Sequence, residues 1–457
     1  MSCWVTSVIF VEFDTRHHAV PGGTVFVCSQ RPLQGCGAWG CTHVPDDSRV
    51  DFGYGVAPSN YEMTGLTDAF AEIRPYRDDE VVDVLSRLLS STEFLDTLAA
   101  YRLGKLLALL PVRLRPMLRP VVRYLLAREV RGVSDVRSMQ LVIERYMTRM
   151  IEAATGGFSV SGLDGLTPGR PYLFMSNHRD IAMDPAFTNY ALHGSGHDTA
   201  RIAIGDNLLT KPWVSDLMRL NKSFIVKRAV SGPRELLAAS KNLSNYIQHS
   251  LLTEHSSIWI AQREGRAKNG VDRTEPVIIK MLSMSRDKRE QEFGEHIQSL
   301  GIVPVAISYE LDPCDAMKAK ELYQKESEGR YQKGEQEDVA SIAQGIAGDK
   351  GRVHVTFGTP LGDDLQTPDA VAREVDRQII TGYCLHPTNI YAYRRLYGAE
   401  AAVPDGLYLE QGDCSLAAFE ARIEALPEQH RPYALAIYAN AVVSKLALAE
   451  RALQPPC

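Results

Sequence analysis

From residue 156 to about 365 the chain alternates short apolar runs with longer stretches in which apolar residues recur every three or four positions. The runs are PYLFMS (171–176), ARIAI (200–204), SFIVK (223–227), SIWIA (257–261), IVPVAISY (302–309) and VHVTF (353–357). Their length and β-branched content predict strands, and amphipathic stretches between them, such as RELLAASKNLSNYIQHSLL (234–252), predict helices. Strands that alternate with helices imply an α/β fold: a largely parallel central sheet flanked by helices.

The flanks read differently. Residues 63–155 are helical in pattern; RDDEVVDVLSRLLSS (77–91) opens with acids, as the positive end of a helix dipole favours. Residues 366–457 carry AVAREVDRQIITGYCL and RPYALAIYANAVVSKLALAERAL, again helical. The pattern therefore predicts N-terminal and C-terminal helical extensions around an α/β domain at 156–365, with KESEGRYQKGEQED (325–338) as a charged surface loop. Residues 1–62, rich in Gly, Pro, Ser and Cys without sustained periodicity, read as a poorly ordered tail of the kind an upstream start codon would add.

Composition narrows the class. The 457 residues are 45% apolar and 23% charged with a net charge of −6, so the molecule has no overall bias toward nucleic acid. No basic-then-apolar leader and no run of about 20 apolar residues stands out, which predicts neither a secretory signal nor a membrane span. Cys314, Cys384, Cys414 and Cys457 are scattered, as in a reduced cytoplasmic protein. Cys36 and Cys41, with His17, His18 and His43 nearby, lack the repeated spacing of a zinc site, and no metal is expected. Against the acidic average, residues 100–131 hold eight basic residues and one acid (Glu129), a local charge of +7. That stretch fits either a solvated basic helical face or a surface resting on anionic lipid.

The chemistry concentrates in Asn177-His178-Arg179-Asp180-Ile181-Ala182-Met183-Asp184-Pro185. His-Arg-Asp opens the catalytic loop of protein kinases, but a kinase needs Asn five residues after that Asp, where this chain has Pro185, and its only Asp-Phe-Gly (51–53) comes before instead of after. A different reading follows from position. His178 leaves the carboxyl end of an apolar strand, the edge at which open α/β sheets bind ligands. There an imidazole can take a proton from an alcohol, steered by an acid on its other nitrogen. No G-x-S-x-G elbow is present, so the alcohol would be the substrate's own. A histidine that merely caps the following helix is the plainer alternative.

Four blocks in order make the sequence resemble the glycerolipid acyltransferase superfamily, the glycerol-3-phosphate and 1-acylglycerol-3-phosphate acyltransferases. They are Asn177–Asp184; Asn221–Arg228 (NKSFIVKR); Glu264-Gly265-Arg266 with Lys268; and Val303–Glu310 (VPVAISYE). The resemblance implies direct transfer of a fatty acyl group from an acyl thioester, acyl-CoA or acyl-carrier protein as co-substrate, to a glycerol-phosphate-type hydroxyl, with no cofactor. It implies His178 as general base, with Lys227, Arg228 and Arg266 on the acceptor's phosphate, Glu264 on its hydroxyls or bracing the cations, and Gly265 and Lys268 beside them in the substrate-binding set. It further implies a peripheral enzyme on the inner face of an anionic membrane. Acylation of another lipid hydroxyl, or a catalytically silent lipid-binding protein with the same fold, are the alternatives.

The blocks depart from the family in three places. The family's acid falls five residues after the histidine, here Met183; the acids present are Asp180 and Asp184. One extra residue rotates a helical side chain by about 100°, so Asp184 reaches His178 only if the turn between them absorbs it; Asp180 could act from the turn itself. Lys227 stands where the family has arginine. The third block is one residue shorter, with Gln262-Arg263 in place of Phe-Pro. Gly205-Asp206-Asn207-Leu208 follows a predicted strand and reads as a turn or as part of an acyl groove, and Lys280 as a helix-face lysine or a further phosphate contact.

Overall fold

A computed structural model describes residues 68–103, 111–332, 334, 337–403 and 412–453. The predicted tail and its Cys36/Cys41 group lie outside the described residues.

Among the described residues four α-helices come first: α1 (Val81–Ser90), α2 (Thr92–Arg102), α3 (Arg119–Glu129) and α4 (Val136–Ala154). Asp135 starts α4, its carboxylate accepting from the Ser138 amide, a satisfied N-terminus of the kind that fixes a helix start. Then follow β1 (Gly157–Ser161), β2 (Leu173–Ser176), α5 (Met183–Gly194), β3 (Arg201–Gly205), α6 (Pro212–Leu220), β4 (Ser223–Val226), α7 (Pro233–Leu252) and β5 (Ile258–Ala261). The chain continues through α8 (Pro276–Leu282), α9 (Phe293–Ser299), β6 (Ile302–Tyr309), α10 (Asp315–Glu328), α11 (Glu337–Ala347) and β7 (Arg352–Phe357). It closes with α12 (Pro368–Gly382), α13 (Pro387–Tyr397), α14 (Leu416–Glu424) and α15 (Arg431–Leu453).

Among the described residues seven strands form one sheet in the order β1-β7-β6-β2-β5-β3-β4. Every neighbouring pair is parallel except β6–β7, which is antiparallel. The fold is thus the expected α/β one, with helical regions at both ends. Strand β6 is buried at all eight residues, as the centre of a sheet covered on both faces requires. Helices α4, α5 and α6 pack on one face through Met147, Phe187 and Leu217, with Phe174 and Trp259 from the sheet. Helices α7, α8, α9 and α12 pack on the other through Ile247, Ile279, Ile297 and Val375, with Met175 and Ile260.

Strand β1 escaped the sequence reading. Its GFSVS carries only two large apolar residues, and all five positions are half-exposed at the sheet's margin. The segment Glu428–Arg451, most of it α15, is long and apolar enough to cross a membrane, contrary to the expectation of no such run. It packs instead as a core helix, with Ala434, Ile437 and Tyr438 buried against Phe419 and Ile423 of α14.

Candidate active site

Strand β2 ends at Ser176, and the next two residues are fixed from both sides. Asn177 is fully buried: its Oδ1 accepts from the Ile307 amide at 2.8 Å, and its Nδ2 donates to the Ile307 carbonyl at 3.0 Å. The His178 carbonyl accepts from the Ala267 amide at 2.8 Å. The backbone that carries the imidazole is therefore held by β6 on one side and by the chain leaving β5 on the other.

The four residues 179–182 form a turn before α5, and that turn absorbs the extra residue. Asp184 consequently points back at the ring: His178 Nδ1 lies 2.8 Å from Asp184 Oδ2. A carboxylate can only accept, so Nδ1 is the donor, and in the neutral ring Nε2 carries the lone pair. Among the described residues no partner is recorded for Nε2. Asp184 is fully buried, and its charge is compensated by three further donors: the amides of Arg179 (2.7 Å) and Asp180 (3.0 Å) and the Tyr309 hydroxyl (2.6 Å).

Asp180 does something else. Its Oδ1 accepts from the amides of Ala182 and Met183, both at 2.9 Å, which caps the start of α5. Burial, reinforced by the neighbouring Asp184 charge, raises its pKa. The alternative in which Asp180 steers His178 is therefore not the arrangement found.

Arg179 is buried. It makes two hydrogen bonds to Asp272, at 2.7 and 3.1 Å, and one to the Gly270 carbonyl at 2.9 Å. Lys318 donates to the Arg179 carbonyl at 2.7 Å and is ion-paired with Asp312. Gly270, at φ +78°, sits so close to α15 that a Cβ there would fall 2.1 Å from the Ile437 carbonyl oxygen. The C-terminal helices thus press directly on the loop that holds the His-Arg-Asp segment.

His178 opens into a cavity of about 420 Å³ at the carboxyl ends of β2 to β5. Lys227, Arg228, Arg263 and Glu264 line the same cavity, as do Gly205 and Leu208. Arg228 lies 3.6 Å from Glu264, Arg263 lies 3.7 Å from Glu275, and Lys227 pairs with Glu72. These pairs are largely exposed and screened by solvent, so they are weak and an incoming anion can displace the carboxylates cheaply. The amides of Arg228 and Ala229 donate to Asp206, which ties the β3 and β4 ends together.

Two predicted cations are not brought to the cavity. Gly265, at φ +70°, turns the chain as few non-glycine residues can. Arg266 is thereby carried to α11, where it donates to Ser341 Oγ at 2.7 Å, and Lys268 to α10, where it pairs with Glu321. Burial lowers the Lys268 pKa despite that partner. Lys280 does not line the cavity either. The missed cation is Arg263, which occupies the place where the resembling family has proline; its charge was the available signal. Trp259 was also missed: its ring meets the His178 ring edge-on, with centroids 5.8 Å apart.

Residues 157–308 match the sequence model of the Acyltransferase family. They are an acyltransferase domain. The first three blocks, most of the fourth, the His178–Asp184 pair and most of the cavity fall inside this domain, whereas Tyr309 and the helices that brace Arg179 lie beyond it. The crystal structure of the 1-acyl-sn-glycerophosphate acyltransferase PlsC from Thermotoga maritima aligns over 56% of this chain and 84% of its own, with 15% identity and a TM-score of 0.30. No curated protein matches the chain.

Proposed function

We propose that the acyltransferase domain esterifies a hydroxyl of a glycerol-phosphate-type acceptor with a fatty acyl group from acyl-CoA or acyl-carrier protein. The observation that carries this reading is the imidazole itself. Nδ1 is anchored on a fully buried carboxylate, and Nε2 is left with a lone pair at a cavity that is apolar within and cationic at its mouth.

In this reading the acceptor's phosphate sits among Arg228, Arg263 and Lys227; the two guanidinium forks suit phosphate geometry and the ammonium adds a point charge. Its hydroxyl lies against Nε2. The hydroxyl oxygen attacks the thioester carbonyl carbon as its proton passes to Nε2. The new C–O bond forms, the C–S bond breaks, and the proton moves from Nε2 to the departing thiolate. Base catalysis of this kind typically contributes about 10²–10⁴ in rate. Asp184 stabilises the imidazolium that forms between the two transfers. Water is excluded where the cavity is apolar, which protects the thioester from hydrolysis.

The membrane reading rests on residues 112–128. Val112, Leu114, Met117, Val121 and Tyr124 are exposed, interleaved with exposed Arg113, Arg115, Arg123 and Arg128. An apolar stripe set among arginines suits an anionic lipid surface.

The test is an acceptor panel with labelled acyl-CoA and acyl-carrier protein, run on the parent, His178→Ala and Arg228→Ala. The first substitution should abolish transfer with the fold retained. The second should weaken phosphorylated acceptors by about 1.5–3 kcal/mol, the size of a charged hydrogen bond, and spare acceptors without phosphate. Lipid binding that is indifferent to His178→Ala, with no turnover in the parent, would sink the catalytic reading in favour of a silent lipid-binding protein.

A further inference from the structure

Asp272 holds both chain neighbours of His178. Its buried carboxylate accepts from Asn177 Nδ2 at 3.2 Å and from the Arg179 guanidinium at 2.7 and 3.1 Å. Asn177 and Arg179 thus converge on one group, while His178 between them lines the cavity, which neither of them does. Arg179 is gripped again along its backbone. Its amide donates at 2.7 Å to Asp184 Oδ2, the oxygen that lies 2.8 Å from His178 Nδ1, and its carbonyl accepts from Lys318 at 2.7 Å. The side chain, amide and carbonyl of this one residue are all fixed.

The loop that carries Asp272 is tied down from beyond the acyltransferase domain. Asn440 of α15 donates to the Asn269 carbonyl at 2.8 Å, and the Thr274 amide donates to Asp376 of α12 at 2.7 Å. The guanidinium carbon of Arg179 lies 5.4 Å from the ring centroid of Tyr383, the residue that follows α12. A buried ion pair seldom adds net stability over an apolar pair of the same volume. A guanidinium fork set on a carboxylate does fix direction and distance. Applied to both flanks of one residue, that geometry governs where the residue between them stands.

We propose that Asp272 is a positioning residue for acyl transfer. Through Asn177 and Arg179 it sets the reach of His178 Nε2 into the cavity, and through the Arg179 amide it seats Asp184. Helices α12 and α15 supply the frame from which it acts. This rests on the acyltransferase reading of His178.

Asp272→Asn keeps the shape and weakens the grip. Asp315→Asn is the matched control. The Asp315 side chain is 5% exposed against 7% for Asp272, and it is paired with Arg422 of α14 and the Tyr438 hydroxyl of α15. For each variant kcat, KM and the melting midpoint are measured with the acceptor panel. The Nδ1 proton of His178, identified by its absence in His178→Ala, is followed in the downfield proton spectrum with no substrate present. Asp272→Asn should lower kcat by about 100-fold, the effect of misplacing a reacting group by about 1 Å. Both KM values should stay within about twofold, because ground-state binding is untouched. The Nδ1 resonance should shift or broaden. Asp315→Asn should lose as much melting temperature, keep most of its kcat and leave the resonance in place. Arg179→Lys keeps the charge and loses the fork, so it should cut kcat by about tenfold at unchanged KM; it serves if Asp272→Asn does not fold. Equal kcat losses in Asp272→Asn and Asp315→Asn, a parental kcat in Arg179→Lys, or an unmoved Nδ1 resonance in folded Asp272→Asn would overturn the proposal and leave the acyltransferase reading standing. A parent that transfers no acyl group, in which Asp272→Asn still moves the resonance, would remove the catalytic reading and leave the positioning of the imidazole standing.

Discussion

The Tyr309 hydroxyl donates a 2.6 Å hydrogen bond to Oδ1 of Asp184, the carboxylate whose other oxygen receives Nδ1 of His178. Tyr309 is the last residue of β6, on the neighbour of the strand that delivers His178, so the centre of the sheet fixes both ends of the pair. Burial and the adjacent Asp184 charge hold its hydroxyl well above the usual phenol range, so it remains a donor at any working pH. Tyr309→Phe keeps the ring and deletes one of Asp184's four donors. The less satisfied carboxylate then holds the imidazolium more tightly. The acidic limb of the kcat/KM profile should move to higher pH, with a loss of about tenfold or more at neutral pH from a charged hydrogen bond worth about 1.5–3 kcal/mol. A lowered rate with an unmoved profile would mean that Tyr309 only fills space.

Asp180 and Asp184 lie four residues apart and should respond oppositely to neutralisation. Asp184→Asn removes the anion that compensates the imidazolium and lets the amide favour the wrong tautomer, so transfer should fall by orders of magnitude. Asp180→Asn keeps an oxygen to cap α5, because asparagine caps as well as aspartate. The raised pKa of Asp180 means that its folded-state contribution is greatest at low pH and is lost as pH rises through that raised value. Asp180→Asn should therefore keep most activity and gain thermal stability relative to the parent at neutral pH, and show no such gain below the carboxylate range. Melting midpoints at acid and neutral pH check this. Equal loss of activity in both variants would refute the division of labour.

The same two acids show what was legible beforehand. Hydrophobic periodicity located six of the seven strands because β2 to β7 are apolar runs of at least four residues; only β1, half-exposed and serine-bearing, lacked that contrast. The His178 neighbourhood was legible because its residues are adjacent in sequence. The choice between Asp180 and Asp184 was not, since it depends on how a four-residue turn spends one extra position. Arg266 and Lys268 looked like anion ligands by charge and spacing, but a positive φ at Gly265 redirects them to Ser341 and Glu321, which lie 75 and 53 residues away in the chain. Contacts of that range leave no periodic trace. Arg263 and Tyr309 were missed for the same reason: what each faces is decided by which strand ends the sheet brings together and not by its immediate neighbours.

The stripe at 112–128 should govern attachment to lipid. Arg115 and Arg123 are exposed and, unlike Arg119 with Asp96, make no ion pair among the described residues. Because each basic residue near an anionic surface is worth about 1 kcal/mol, Arg115→Glu with Arg123→Glu should cut partitioning onto phosphatidylglycerol vesicles by at least about tenfold. Binding to phosphatidylcholine vesicles, which lack the surface charge, should change little, and added salt should weaken the parent's binding through screening. Cosedimentation measures both. Unchanged binding to the anionic vesicles would return this stretch to a solvated basic face.

His354 offers a pH test remote from the reaction. It sits on β7 between two serines of β1, with Nδ1 2.7 Å from Ser159 Oγ and Nε2 2.9 Å from Ser161 Oγ. Alternate residues of a strand share a face, which is why Ser159 and Ser161 grip one ring. Burial, assisted by His386, pushes its pKa down to about 4 from 6.5. The folded protein thus holds the ring neutral where the unfolded chain would protonate it. The stability this confers is present above pH 6.5 and is lost as pH falls toward 4, on the order of 3 kcal/mol at about 1.36 kcal/mol per pH unit. His354→Gln can still bond a serine but cannot titrate. Its urea midpoint should fall less than the parent's between pH 7 and 4.5, since the carboxylates that titrate in this range are common to both. If the two proteins lose stability in parallel, the protonation of His354 is not what destabilises the β1–β7 margin in acid.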